Sequence, residues 1–165
     1  QHIGNQPVTI LKINKVSKKF HARFDAKKRT YQYKIINRQS PLALQKSKAW
    51  HIRKKLDVKA MKKAAKLLLG THDFSTFRAS SCGAKSPIKT IEKSTIIKKG
   101  DKIFIIFSSR SFLQQQVRSM VGCLKYLGEK KWDIKYFEKV FKSKKRSLCA
   151  PPAPACGLFL EKITY

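Results

Sequence analysis

The sequence has little negative charge. Asp and Glu together number 9 against 38 Lys and Arg, which gives the 165 residues a formal net charge of +29. Because the acidic residues are so few and so scattered, their spacing does not indicate a pair of carboxylates for general acid–base chemistry. A folded chain with such a charge repels itself, so an anionic partner is the expected reason for it. Nucleic acid is the first candidate partner, and an anionic membrane surface comes well behind.

Long hydrophobic runs and short catalytic motifs are also lacking. The longest apolar run is 103–107, whereas a membrane-spanning helix needs about 20 such residues. There is no G-x-S-x-G, P-loop or G-x-G-x-x-G motif, and the four histidines have no metal-binding spacing. The four cysteines lack C-x-x-C spacing, which indicates a reducing compartment rather than disulfides or a zinc site. These observations alone identify no active site.

Hydrophobic periodicity predicts a mixed fold. Strands are expected at 9–16, 30–37, 90–98, 102–109 and 157–165, and helices at 58–69, at 112–127 and after Asp133. All three helices have a predicted apolar face. These faces are made of Val58, Met61, Ala65, Leu68 and Leu69, then of Leu113, Val117, Met120, Leu124 and Leu127, and finally of Ile134, Phe137, Val140 and Phe141. Because strands and helices do not alternate strictly, we expect an α+β fold with a mainly antiparallel sheet flanked by helices.

Four segments carry longer and more specific motifs. They are F-H-A-R-F-x-A-x-x-R-x-Y-x-Y at 20–33, G-x-x-D-F-x-x-F at 70–77, F-L-x-x-x-V-R-x-x-V-G at 112–122 and A-P-x-x-G-L-x-L at 153–160. Together, and in this order, they resemble the blocks of the TruA-type tRNA pseudouridine synthase family. One block alone would be a weak match, but the four cover nearly the whole chain.

The resemblance implies a pseudouridine-synthase-like α+β fold and an isomerase. Its members break the N-glycosidic bond of a uridine in the anticodon stem-loop of tRNA, turn the base and rejoin it through carbon. A carboxylate is the nucleophile, and no cofactor or metal is needed. The resemblance further implies tRNA as the partner, a homodimer, no membrane association and a cytoplasmic location.

Three catalytic-site residues follow from the resemblance. Tyr31 matches the active-site tyrosine, which stacks on the uracil and takes part in proton transfer. Arg118 matches an arginine that pairs with the nucleophilic aspartate, and Leu158 matches an apolar residue beside the base pocket. Without the motifs, Tyr31 and Leu158 would be read as core residues and Arg118 as a surface charge.

Five basic residues in or near the matched blocks are predicted to contact RNA phosphates: His21, Arg23, Arg29, Arg78 and Arg110. For His21, capping of a turn is an equal alternative. Phe74 and Phe77 are expected in the core. The helix lysines are interpreted as a solvated face.

One family motif is missing. The nucleophilic aspartate belongs to an R-T-D-x-G-V-H-like motif upstream of the first block, and no R-T-D occurs here. We therefore interpret 1–18 as a lead-in with the first strand and 19–165 as the C-terminal domain of a longer enzyme, in agreement with the start at Gln1. The N-terminal domain, with the nucleophile, would be absent, and this chain alone is expected to be inactive.

Two other classes of function remain open at this point. A non-catalytic basic RNA-binding protein, such as a ribosomal or assembly factor, shares the charge but needs no common pocket for Tyr31, Arg118 and Leu158. A cationic membrane-surface protein needs aromatic residues on an amphipathic helix, and 58–69 has none.

Overall fold

The computed structural model describes residues 8–165, which form a six-stranded sheet and three α-helices. The strands are β1 (Lys28–Asn37), β2 (Trp50–Ile52), β3 (Gly70–Asp73), β4 (Ile88–Lys99), β5 (Lys102–Ser109) and β6 (Leu158–Thr164). The helices are α1 (Val58–Lys66), α2 (Gln116–Gly128) and α3 (Ile134–Lys142). The predicted α+β class is therefore confirmed.

The sheet is antiparallel except at one pair of strands. Its order is β2-β1-β5-β4-β3, and β6 also pairs with β1. β2 runs parallel to the end of β1, whereas β6 runs antiparallel to its beginning. The two short strands therefore share the edge of β1 that lies opposite β5, and the start of β6 comes close to the middle of β1.

One face of the sheet carries the core. Ile103, Ile105 and Phe107 are completely buried, while the alternating Phe104 and Ile106 are only half-buried. Side chains on a strand alternate between faces, so the helices cover one side of the sheet. The hydroxyl of Ser94 in β4 donates to the carbonyl of Ala65 in α1 at 2.7 Å, which ties this layer to the sheet.

Two helices begin at aspartate caps. Asp57 accepts from the Ala60 N–H of α1 at 3.0 Å, and Asp133 accepts from the Tyr136 N–H of α3 at 2.6 Å. Each carboxylate satisfies a backbone donor that the helix itself leaves unpaired. The Asp57 cap and the helix after Asp133 were both predicted from the sequence.

The predicted helix limits and faces are correct only in part. α1 ends three residues early, and α2 starts at Gln116 instead of residue 112, after Gln115 with a left-handed φ of 60°. Leu69 and Ile134 were predicted to be buried but are 39% exposed, since Leu69 lies beyond the end of α1 and Ile134 is the first residue of α3. The other twelve predicted face residues are buried.

The predicted first strand at 9–16 is wrong. These residues have no regular secondary structure, and Leu11 and Ile13 are 93% and 82% exposed. In the part of the chain that the structure describes, no strand pairs with them, and an unpaired strand is not stable. The first seven residues of the predicted lead-in lie outside the described residues. Conversely, β2 and β3 were not predicted, because three or four residues show too little periodicity.

Two glycines allow close packing around the segment 150–157. A Cβ on Gly122 in α2 would lie 2.1 Å from the carbonyl oxygen of Pro151, and one on Gly157 would lie 2.7 Å from the ring of Tyr33. Side chains at these positions would force the segment away from both α2 and β1. The segment is thereby held between the helix and the sheet.

Candidate active site

An open cleft of about 780 Å³ lies where β1, the start of α2 and the start of β6 meet. Tyr31, Arg118 and Leu158, which come from three separate sequence blocks, all line it. The sheet register explains part of this placement, because Tyr33 pairs with Leu158 and Tyr31 with Leu160. A common pocket for the three residues is the arrangement that a non-catalytic RNA-binding protein does not need.

Tyr31 presents an aromatic ring at the wall of the cleft. The ring is half-buried and packs edge-to-face against Phe112, with centroids 5.3 Å apart and planes at 85°. The pairing of β1 with β6 shifts between Thr30 and Tyr31, which leaves Glu161 as an extra residue in β6. Such bulges often redirect a side chain beside a functional site. Within residues 8–165 the Tyr31 hydroxyl has no hydrogen-bond partner, so it is available to a ligand.

Arg118 is held in place by the segment that precedes β6. Its Nε donates to the carbonyl oxygen of Ala153 at 2.6 Å, and the Ala153 N–H donates to the Arg118 carbonyl at 2.9 Å. The side chain is half-buried, and it forms no ion pair with any carboxylate between residues 8 and 165. A partly desolvated guanidinium favours a carboxylate or phosphate partner.

Tyr33 stabilises the segment that leads into the cleft. Its hydroxyl donates to the carbonyl oxygen of Pro154 at 2.6 Å, and its ring is completely buried. Burial raises the pKa of Tyr33, the nearby Cys156 thiol adds to this rise, and the positive charge of Arg118 opposes it. Tyr33 therefore stays a neutral donor at physiological pH and fixes the segment that carries Leu158.

Three of the predicted RNA-binding residues, Arg23, Arg29 and Arg110, line the cleft. The Arg29 guanidinium donates to the carbonyl oxygens of both Arg23 and Arg110, which joins the two sides of the rim. Arg23 and Arg110 themselves are exposed. Their charges therefore face solvent, while that of Arg29 organises the backbone between them.

The other two predicted RNA-binding residues do not line the cleft. Nδ1 of His21 accepts from the backbone N–H of Arg23 at 3.2 Å, so the described contacts give His21 the turn-capping role. The guanidinium of Arg78 donates to the carbonyl oxygens of Cys82 and Ala84 at 2.6 and 2.8 Å. Arg78 thus shapes the loop that forms one wall of the cleft.

The sequence did not predict the loop that forms this wall of the cleft. Cys82, Gly83 and Ala84 line the same cleft as Tyr31, and nothing in the local sequence except a glycine beside a cysteine marks them. Burial of Cys82 opposes its ionisation, but backbone N–H groups of Ala84 and Gln114 and the charge of Arg78 outweigh it. The net effect is a lowered pKa of the Cys82 thiol. Phe112, the partner of Tyr31, was predicted only as a helix residue.

The described residues bear on three further expectations from the sequence. Phe74 and Phe77 are completely buried, as predicted. Between residues 8 and 165, no three His, Cys, Asp or Glu side chains are grouped closely enough to hold a metal ion. No helix in this part of the chain has the length and apolar character that crossing a membrane requires.

Comparison with known proteins gives a consistent family. The family model described as tRNA pseudouridine synthase matches residues 64–165. A relative from Pelagibacter ubique, named tRNA pseudouridine synthase A, is 63% identical over 163 residues, which cover 99% of this chain and 66% of the relative. A relative of the same name from Xanthobacter autotrophicus is 49% identical over 159 residues, which cover 96% of this chain and 65% of the relative.

The chain spans slightly less than two thirds of the length of these two relatives. The matched family region includes α2, with Arg118, and β6, with Leu158, and the two relatives extend the similarity over almost all of the chain. The sequence blocks, the cleft and the comparisons therefore agree, and the chain belongs to the tRNA pseudouridine synthase family.

Proposed function

We propose that the chain is the C-terminal, RNA-binding and pocket-forming part of an enzyme that isomerises uridine to pseudouridine in the anticodon stem-loop of tRNA. The observation that carries this proposal is the shared cleft of Tyr31, Arg118 and Leu158. The three residues lie far apart in the sequence and come from blocks that resemble the family's motifs.

The cleft suits a uracil taken out of the RNA stack. Enzymes that act on a base bring it into a pocket, where aromatic and apolar side chains replace its stacking neighbours. In this role the ring of Tyr31 stacks on the uracil and Leu158 contacts it from β6. The hydroxyl of Tyr31, which has no partner within residues 8–165, takes part in the proton transfer that completes the product.

Arg118 has the position and charge to hold the nucleophilic carboxylate. A guanidinium can form two parallel hydrogen bonds with a carboxylate and so keep it ionised and oriented. All five aspartates lie within residues 8–165, and none of them lines the cleft. Each has a partner elsewhere, as a helix cap, a turn acceptor or an ion pair: Asp25, Asp57, Asp73, Asp101 and Asp133. This supports a nucleophile supplied by another segment of the full-length enzyme.

The basic surface provides the affinity for tRNA. Exposed Arg23 and Arg110 flank the cleft, and the net charge of +29 attracts a polyanion from a distance. Arg29 and Arg78 add positive charge near the cleft while they bind backbone carbonyls, and His21 caps the turn that carries Arg23. We extend the family resemblance to a homodimeric enzyme that works in the cytoplasm, where its proposed tRNA substrate is found.

The test compares this chain with the full-length protein on a tRNA transcript, with chromatographic separation of the nucleosides after digestion. We expect pseudouridine from the full-length protein and none from the 165-residue chain. Pseudouridine formed by the chain alone would show that the nucleophile is not supplied from outside it. No pseudouridine from the full-length protein, with tRNA binding intact, would favour the alternative of a non-catalytic RNA-binding protein.

A further inference from the structure

We propose a second RNA-binding site in the groove between α1 and α3, called the α1–α3 groove below. It would hold one nucleotide of the tRNA away from the target uridine, with the base against Trp132 and Tyr136 and the phosphates at Lys59, Lys63 and Lys130. RNA as the ligand class follows from the groove itself, and its identity as tRNA rests on the proposed function.

The groove is concave and separate from the cleft. It has a volume of about 900 Å³ and lies between the first turns of α1 and α3 and the end of α2. α2 runs from Arg118 at the cleft to Leu127 at the groove, and nine residues of helix span about 13 Å. The two sites are therefore separated by roughly the length of α2, a distance that a single RNA molecule with a base in the cleft can span.

Aromatic side chains line the groove, where Tyr136 is exposed and Trp132 is half-buried. Trp132 packs against Tyr126 and Tyr136, with ring centroids 5.3 and 5.2 Å apart, and Tyr136 is 41% exposed. Ile134, which was predicted to be buried, is 39% exposed in the same groove. Aromatic faces held rigidly by their neighbours are the surfaces on which single-stranded RNA bases stack.

The four lysines that line the groove differ in their partners. Lys59 and Lys63 are one turn apart on α1, and Lys130 follows α2. Within residues 8–165 none of the three forms an ion pair, whereas Lys131 lies 3.4 Å from Glu129 and 4.8 Å from the Tyr126 ring centroid. Several unpaired cations around one groove repel each other, and a phosphate relieves that repulsion.

Two aspartates also line the groove and restrict where a phosphate can sit. Asp57 and Asp133 each accept a hydrogen bond from the first turn of a helix. Their carboxylates repel phosphate, so the phosphates belong at the lysines and the uncharged base belongs over the aromatic rings. An acidic peptide has its charges on side chains and no planar base to stack, which makes it the poorer fit.

A matched pair of lysines provides the control. Lys62 and Lys66 are exposed, lie on the same helix with the same spacing as Lys59 and Lys63, and do not line the groove. The two double substitutions to Ala remove equal charge from the same helix. A difference in tRNA affinity between the two double variants therefore reports the contribution of the groove and not that of the net charge.

The experiment uses the full-length protein and a tRNA transcript that carries 4-thiouridine. Lys59→Ala with Lys63→Ala should weaken tRNA binding about tenfold more than Lys62→Ala with Lys66→Ala, and should lower the slope of log K against log salt by more than one. Ultraviolet light should cross-link the RNA to the peptide around 132–136. Tyr136→Ala should weaken binding at least about fivefold, and Tyr136→Phe, which keeps the ring, should bind normally.

Equal losses of tRNA affinity in the two double variants would overturn the proposal, because such losses would show only diffuse attraction between the positive charge and the RNA. Absence of a cross-link in 132–136, or equal binding by Tyr136→Ala and the wild type, would overturn the stacking site. These measurements read affinity and contact, not turnover. A full-length protein that binds tRNA but makes no pseudouridine would therefore overturn the proposed function and leave the groove intact.

Discussion

Arg118 and Ala153 are joined by two hydrogen bonds that run in opposite directions. The Arg118 Nε donates to the Ala153 carbonyl at 2.6 Å, and the Ala153 N–H donates to the Arg118 carbonyl at 2.9 Å. One bond fixes the side chain at the cleft and the other fixes the backbone of α2. The guanidinium is therefore oriented before any carboxylate or RNA reaches it, which lowers the cost of ordering it on binding.

Arg118→Ala in the full-length enzyme is expected to reduce turnover at least about a hundredfold, because the carboxylate loses its oriented cation. Binding of tRNA should be largely retained. Arg118→Lys should not restore turnover, since an ammonium cannot both replace the Nε bond and form a bidentate pair. Single-turnover rates and filter binding measure the two quantities separately. Equal losses of rate and affinity would instead identify Arg118 as a phosphate contact.

Binding of tRNA should depend steeply on salt. We expect the affinity to fall at least about a hundredfold between 50 and 200 mM salt, as several phosphates are neutralised. Arg23→Ala and Arg110→Ala should each lower the slope of log K against log salt by about 0.7–0.9. Arg53→Ala is the control, because Arg53 is exposed and does not line the cleft. A flat salt dependence would contradict the phosphate contacts.

Glu129 should stabilise the fold at neutral pH. Burial opposes its ionisation, but Lys125 at 2.8 Å and Lys131 at 3.4 Å outweigh burial and lower the pKa of the carboxyl. The folded state thus binds this proton less tightly than the unfolded state, so the contribution is present at neutral pH and is lost as the pH falls through the lowered pKa. Glu129→Gln should cost about 1–2 kcal/mol at pH 7.

Urea unfolding at pH 7 and at pH 3 measures this effect. The difference between Glu129→Gln and the wild type should shrink at acid pH. Glu138→Gln is the matched control, because Glu138 also pairs with a lysine one turn away, but both side chains are exposed. It should cost less than about 0.5 kcal/mol. Equal costs for the two variants would show that burial of Glu129 does not strengthen its ion pairs.

Gly157→Ala should destabilise the protein by about 1–3 kcal/mol, the usual cost of an overpacked site. The added Cβ would lie 2.7 Å from the buried ring of Tyr33 and 2.8 Å from the Lys34 carbonyl. Gly83→Ala is the control, since no atom of residues 8–165 lies within 4 Å of its added Cβ. Thermal unfolding of both variants gives the comparison. A wild-type Tm for Gly157→Ala would mean that the segment can move without cost.

Local pattern was sufficient for the long elements of this fold. The β4–β5 hairpin and the helix capped by Asp133 each have a clear period and a turn or capping residue at the end. The strand at 9–16 failed because alternation does not supply a partner strand. β2 and β3 could not be predicted from local pattern, because their pairing with β1 and β4 depends on contacts distant in the sequence.

The candidate site, like the fold, could be predicted only in part from the sequence. Tyr31, Arg118 and Leu158 were identified by resemblance to a family, since no periodicity brings together residues from three segments. Nothing local could indicate that Arg29 would bind two backbone carbonyls or that the 82–84 loop would line the same cleft as Tyr31. Both depend on where β1 and the segment before α2 meet in the folded chain.

The two hydrogen bonds between Arg118 and Ala153, with the contact of Gly122 against Pro151, have a consequence for recombination among family members. Residues 112–122 and 151–160 form one physical unit, although residues 123–150 separate them in the sequence. A chimaera that exchanges only one of the two segments with a distant relative should misplace the arginine. A chimaera that exchanges both together should keep it in place. The position of Arg118 is thus preserved only when both segments come from the same parent protein.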